Sequence, residues 1–304
     1  MSTRPRRILA GFDGHRIEIS VSGSPLESRL EASCAHLRAI QHDSLPTVLR
    51  VTIEDHGSYV ALRDSTSRSV SGSDGYVLHA LRSWMIDAWA AARPHLLWLH
   101  ASAVACGNGA IVVAGPSGAG KSTLATDLIA RGWTFLCDDA APIEVERGLV
   151  LPLPFAPERR SCAAPHAVDA LDFDEWPKAT VDVPARQVAR KPAALRAIVL
   201  PEYDARLDRP PTLRALTALS AAHTLLTRGA RGEAGASRAT RIFQLVRRAR
   251  CYQLVYGPET PAAVTLLDDE LSDPDSAVRR AQQQVEAAGS GFAGRSQDVA
   301  RTEP

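Results

Sequence analysis

Gly115-Pro116-Ser117-Gly118-Ala119-Gly120-Lys121-Ser122-Thr123 fits the pattern G-x-x-x-x-G-K-[ST], in which each fixed position has a mechanical task. Glycines let the backbone curl so that successive N–H groups turn toward one centre, an arrangement that holds phosphate oxygens. Lys121 would bring a compact cation to the β- and γ-phosphates of a nucleotide, and the Ser122 hydroxyl would ligate Mg²⁺. Average residue usage produces the pattern by chance in roughly 1% of chains this long, so a glycine-rich turn that binds nothing is the weaker reading. The segment from Gly115 to Thr123 is therefore expected to bind a nucleotide.

Asp138 and Asp139 form the second chemical feature. Two adjacent carboxylates can divide the work of phosphoryl transfer, one approaching Mg²⁺ and the other accepting the proton of an incoming hydroxyl. The same dipeptide also suits a solvated turn or a helix N-cap, and the residues alone leave both readings open. His100 is set in an apolar run, and its spacing alone favours a satisfied core histidine.

The elements that must position these groups are legible as patterns. Ala110 to Ala114 is a short apolar run, expected to be the buried strand that feeds the loop. Leu124, Leu128 and Ile129 recur at helical spacing, and Gly132 is placed to end that helix. A helix N-terminus is thereby directed at the anion. Trp133 to Cys137 is a further buried strand running straight into the two aspartates. Upstream, Leu96 to Ala105 reads as one apolar strand, and Gly107-Asn108-Gly109 is a hairpin signal. The loop is thus fed by the second strand of a hairpin, unlike the ordinary βαβ wrapping of phosphate-loop proteins.

Residues 1–75 alternate apolar and polar positions, as in Arg16 to Val21 and Thr47 to Ile53, and are expected to form a small α+β lobe. Ser65 to Gly75 has loop composition, and Tyr76 to Ala92 carries Leu81, Trp84, Met85 and Trp89 at helical intervals, as a core-packing helix does. Residues 76–271 are read as the phosphate-loop domain. Within it, residues 151–192 are proline-rich and irregular, Leu195 to Leu200 is a strand, and helices are expected over 220–228 and 240–250, with a last strand from Cys251 to Tyr256. Residues 272–304 lose apolar periodicity and are expected to be mostly disordered.

Composition narrows the classes. A formal charge of +1 over 304 residues gives no global field for nucleic acid or anionic membrane, and no apolar run reaches spanning length. The five cysteines are odd in number and widely spaced, which suits reduced thiols and a cytoplasmic location. Lysines are confined to Lys121, Lys178 and Lys191, so a lysine in the loop is more telling than any of the scattered arginines. Arg159-Arg160 could clamp an acidic group, but surface decoration is the commoner use of such a pair.

Leu99-His100-Ala101-Ser102-Ala103-Val104, the hairpin, the loop from Gly115 to Thr123, and Arg131 to Asp139 together resemble bacterial HPr kinase/phosphorylase, in a divergent branch. The likeness covers about residues 96–142. It implies an α/β, mixed-sheet P-loop kinase core that moves the γ-phosphoryl group of ATP, with Mg²⁺, to a hydroxyl. The acceptor is expected to be a serine of a peptide or small protein, or a small hydroxylated metabolite, and a homo-oligomer is compatible with the family. The resemblance implies Asp138 as general base, Asp139 with Ser122 on the metal, and His100 beside the transferring phosphate. The family's downstream Glu-Arg-Gly signature is missing; Asp172, Asp174 or Glu175 could supply a replacement carboxylate. An ATP-binding regulatory module or a hydrolytic NTPase is the alternative function.

Overall fold

The computed structural model describes residues 5–22, 24–37, 44–107, 109–160, 178–229 and 236–272. Two sheets dominate it. The first has five strands in sequence order, β1 (Arg6–Phe12), β2 (His15–Ser22), β3 (Thr47–Asp55), β4 (Val60–Asp64) and β5 (Ser69–Gly72). Helix α1 (Ser24–Ser33) makes the parallel crossover from β2 to β3, and α2 (Asp74–Ala92) packs back across β2 to β5. Strand β2 buries Ile17, Ile19 and Val21 and half-exposes the residues between them, the period-2 signature of a one-sided sheet. The expected loop over 65–75 therefore contains a strand, because Ser69 to Gly72 pairs with β4. Edge pairing needs backbone groups rather than apolar side chains, so serine-rich composition concealed it.

The second sheet has nine strands among the described residues and mixes directions. Its strands are β6 (Leu97–Leu99), β7 (Ala101–Cys106), β8 (Gly109–Ala114), β9 (Thr134–Cys137), β10 (Ala141–Glu144), β11 (Leu149–Val150), β14 (Ala193–Tyr203), β15 (Thr212–Ala215) and β16 (Arg250–Tyr256). A separate small ribbon pairs β12 (Glu158–Arg160) with β13 (Lys178–Thr180). Strands β8, β14 and β16 lie parallel, whereas β7 joins β8 as an antiparallel hairpin and β9 adds antiparallel to β7. The fold is a mixed α/β architecture, as expected for the class.

Strand β8 is buried along its whole length because both of its faces are covered. Ile111 and Val113 pack under α3 (Lys121–Ala130) and α6 (Thr260–Leu271), together with Leu124, Leu128 and Leu267. Val112 and Ala114 face the other way, into a core shared with the five-stranded sheet and with α4 (Ala218–Thr224) and α5 (Ala236–Val246). Where the two sheets meet, Trp89 lies 5.7 Å from the Phe12 ring and 5.9 Å from Phe155. The tryptophans of α2 are core residues, as their spacing implied.

Three further departures have local causes. The run Leu96 to Ala105 is two strands, since the chain bends at His100 and β6 pairs with β10 rather than continuing β7. Strand β14 extends through Pro201, which no strand rule would favour. By then the pairing with β8 has ended, so β14 is an edge on that side, the setting in which sheets tolerate proline. Helix α6 starts with Pro261 in its first turn and was hidden by the loss of pattern further downstream. No helix among the described residues is long and apolar enough to cross a membrane.

Candidate active site

Strand β8 ends at Ala114, and the chain then curls through Gly118 (φ 82°) and Gly120 (φ 85°) before α3 begins at Lys121. Both angles lie in the left-handed region that glycine enters without penalty. The N-cap position of α3 is Gly120, which brings no side chain to cap the helix, and a helix start of this kind is a ready anion site. The loop is pinned from outside the motif. Tyr256, at the end of β16, donates its hydroxyl to the Ala119 carbonyl at 3.1 Å, and its ring meets Tyr203 edge-on at 5.3 Å. A Cβ on Gly120 would stand 1.8 Å from that hydroxyl. Nothing local to the motif signals Tyr256; only its place at the end of a core strand could have.

Lys121 is buried, and its Nζ donates to the Pro116 carbonyl at 2.9 Å. The same Nζ lies 3.0 Å from His100 Nε2. On the far side of the ring, His100 Nδ1 is 3.0 Å from the Asp139 carbonyl. A carbonyl oxygen only accepts, so Nδ1 carries the proton and Nε2 offers its lone pair to the ammonium. The bend between β6 and β7 is what brings His100 here, and the core-histidine reading gives way to one in which the ring touches the loop lysine.

Asp138 follows the last residue of β9 and is 2% exposed. Its Oδ1 accepts from Ser122 Oγ at 2.9 Å and, in a short bond, from Ser102 Oγ on β7. Burial, with the neighbouring Asp139 charge, pushes its carboxyl above the usual carboxylate range, against the hydrogen bonds of the two serines and the charge of Arg82. Ser102 was not singled out as a site residue from sequence, although it lies two residues after His100, on the strand that follows the bend.

Asp139 goes elsewhere. Its backbone is left-handed at φ 68°, which swings the side chain away from that of Asp138. Asp139 Oδ2 accepts from Arg82 Nη1 at 3.0 Å, across from α2. The carboxylate that touches Ser122 is thus Asp138, while Asp139, expected beside Ser122 on the metal, is paired with Arg82. Arg82 also donates to the Ala156 carbonyl at 2.7 Å, lies 3.7 Å from Glu158, and stacks over Phe155 at 4.9 Å.

Arg159 is held by Asp127 of α3 at 3.0 Å rather than pointing into the site. Asp172, Asp174 and Glu175 lie outside the described residues. A cavity of about 300 Å³ opens beside the loop, between Gly115 to Gly118 and the end of β14 at Pro201 and Glu202. No cation lines it. Among the described residues there is no cluster of three or more His, Cys, Asp or Glu able to hold a metal alone. Ser122 and Asp138 nonetheless supply hard oxygen donors side by side, a set that fits Mg²⁺, which keeps waters and substrate phosphates as its remaining ligands. Polyphosphate fits the uncapped helix start with Lys121 beside it.

No protein-family model matches the chain, and no curated protein matches it. Among solved structures, the Hpr(Ser) kinase/phosphatase from Coxiella burnetii is similar at a TM-score of 0.32 and 14% identity, over 66% of this chain and 99% of that one. A TM-score of that size establishes neither a common fold nor a common activity.

Proposed function

We propose that the chain is a kinase that uses ATP and Mg²⁺ to phosphorylate a hydroxyl, most characteristically a serine of a peptide or small protein. One observation carries this reading: Lys121, Ser122 and Asp138 converge at the start of α3, with Asp138 bonded to the loop serine itself. A nucleotide-binding loop that only sensed ATP would have no need of a carboxylate buried at that point and left with a raised proton affinity.

In this reading the uncapped turn of α3 and Lys121 hold the β- and γ-phosphates. Ser122 and Asp138 would hold Mg²⁺, which when bound offsets the charge on those phosphates. Both jobs that the sequence divided between two aspartates then fall on Asp138. Its carboxylate takes the proton of the acceptor hydroxyl, whose oxygen bonds to the γ-phosphorus as the bond to the β–γ bridging oxygen breaks, and ADP leaves. Ser102 keeps Asp138 in place from the opposite strand. The uncharged-to-acidic lining of the cavity beside the loop suits a neutral or cationic acceptor segment better than an acidic one.

The test is to incubate the protein with γ-labelled ATP, Mg²⁺ and lysate of its own source, and to identify labelled species by mass spectrometry. A labelled serine is expected; ADP release with no labelled product in any fraction would make the protein a hydrolytic NTPase and overturn the kinase reading. Ser122→Ala should in addition raise the Mg²⁺ concentration needed for half-maximal turnover by ~10-fold, the usual loss when a metal's supporting oxygen is removed. A magnesium titration at saturating ATP checks it.

A further inference from the structure

We infer that Arg82, a residue of the helix that belongs to the five-stranded sheet, is a positioning residue for Lys121, acting through Asp139 and His100. The inference rests on the reading that the loop binds ATP. Its parts are all in contact: Arg82 Nη1 on Asp139 Oδ2 at 3.0 Å, the Asp139 carbonyl on His100 Nδ1 at 3.0 Å, and His100 Nε2 on Lys121 Nζ at 3.0 Å.

Each link has a direction. A buried guanidinium is costly unless its donors are met, and Arg82 meets the Ala156 carbonyl and two carboxylates. Asp139 in turn adopts a left-handed backbone, which a residue with a Cβ enters only at a cost. Its side chain is held in that conformation by Arg82, and the conformation aims the Asp139 carbonyl at His100. That carbonyl selects the Nδ1–H tautomer, leaving Nε2 as an acceptor for the lysine ammonium. Lys121 is thereby gripped from two sides, by His100 and by the Pro116 carbonyl, and its Nζ is fixed before a nucleotide arrives. Without Asp139, Arg82 would stay hydrogen-bonded to the Ala156 carbonyl and ion-paired with Glu158, so satisfaction of the arginine alone does not account for the chain of contacts. Helix α2 packs on the five-stranded sheet while its Arg82 reaches the loop's supports, so the N-terminal elements are part of the site's construction.

The experiment uses the full chain and five changes: Arg82→Met, Arg82→Lys, Asp139→Asn, Lys121→Ala and, for assignment, His100→Gln. Side-chain ¹⁵N spectra, with His100→Gln to assign the resonance, should show a neutral, Nδ1-protonated ring in the parent and in Arg82→Lys. That signature should be lost in Arg82→Met. Calorimetry with Mg²⁺ and ATP should show Arg82→Met binding ~10-fold more weakly, with Arg82→Lys recovering part of the loss. In the Lys121→Ala background Arg82→Met should cost nothing further, since its effect runs through the lysine. An unchanged His100 tautomer in Arg82→Met, or the same ~10-fold loss with and without Lys121, overturns the relay. If Arg82→Met does not fold, Asp139→Asn carries the same comparison, because it weakens the same link while keeping shape. The histidine spectrum needs no nucleotide, so a parent chain that failed to bind ATP would end the kinase reading while the relay was still judged on His100.

Discussion

Asp138→Asn should cost at least ~10²-fold in phosphoryl transfer and yet make the protein more stable at neutral pH. The two effects have one origin. Asp138 is buried against Ser102 and Ser122, and its carboxyl is pushed upward chiefly by burial and next by Asp139. Below about pH 4 it is neutral in folded and unfolded chains alike. As pH rises from there the unfolded chain releases the proton first, because the folded state holds it more tightly. Stability therefore falls through the window between the ordinary value and the raised one, and the deficit persists above it. Asparagine has no proton to release, and its carbonyl oxygen can still accept from both serines. The stability advantage of the variant should open from about pH 4 and widen as the pH climbs toward the raised value. Thermal melts from pH 4 to 8 without nucleotide or Mg²⁺, set beside transfer rates, check both halves. A variant that melts at the parent's temperature across that range would show that the carboxylate is not under the strain described. A variant that keeps its transfer rate would remove Asp138 from the chemistry altogether.

How much of this was legible in the chain depends on how local the cause was. The strand–loop–helix unit from Ala110 to Gly132 is written in contiguous residues, and the structure builds it: β8 buried on both faces, α3 from Lys121, and Gly132 at φ 97° closing the helix. Likewise the hairpin partners β7 and β8 and the strand leading to Asp138 follow from apolar runs bounded by turn residues. What escaped is what depends on distant partners. Nothing near Asp139 shows that its backbone turns left-handed, because the reason is Arg82 on a helix far upstream. Tyr256 touches the loop only because β14 lies between β8 and β16 in the sheet order. Short pairing segments such as β5, β11 and β15 were invisible for the same reason: their hydrogen bonds belong to a neighbour's edge, not to their own composition.

Gly120→Ala should lose ~10²-fold in nucleotide affinity, the scale of loss that follows when a binding group is displaced by about 1 Å. Two separate obstacles meet at this position. Its φ of 85° is left-handed, which costs any residue with a Cβ about 1 kcal/mol. The new Cβ would also stand 1.8 Å from the Tyr256 hydroxyl, far inside contact distance, and the hydroxyl is not free to yield because it is buried and bonded to the Ala119 carbonyl. Either the tyrosine leaves, unpinning the loop, or the loop shifts and carries Lys121 with it. Removing the hydroxyl should separate the two obstacles. Tyr256→Phe alone loses the bond to Ala119 and about 1 kcal/mol of stability. Combined with Gly120→Ala it relieves the overlap but not the dihedral strain, and the ring carbon that bore the hydroxyl remains 3.2 Å from the added methyl, still tight. The pair should therefore be more stable than the sum of the single changes allows, by at least about 1 kcal/mol, while still falling short of the parent. Urea unfolding of the four proteins measures the coupling, and ATP titrations show whether affinity returns in step. Strict additivity would mean that Tyr256 does not lie over the glycine, and the loop would have to be held in shape by its own residues alone.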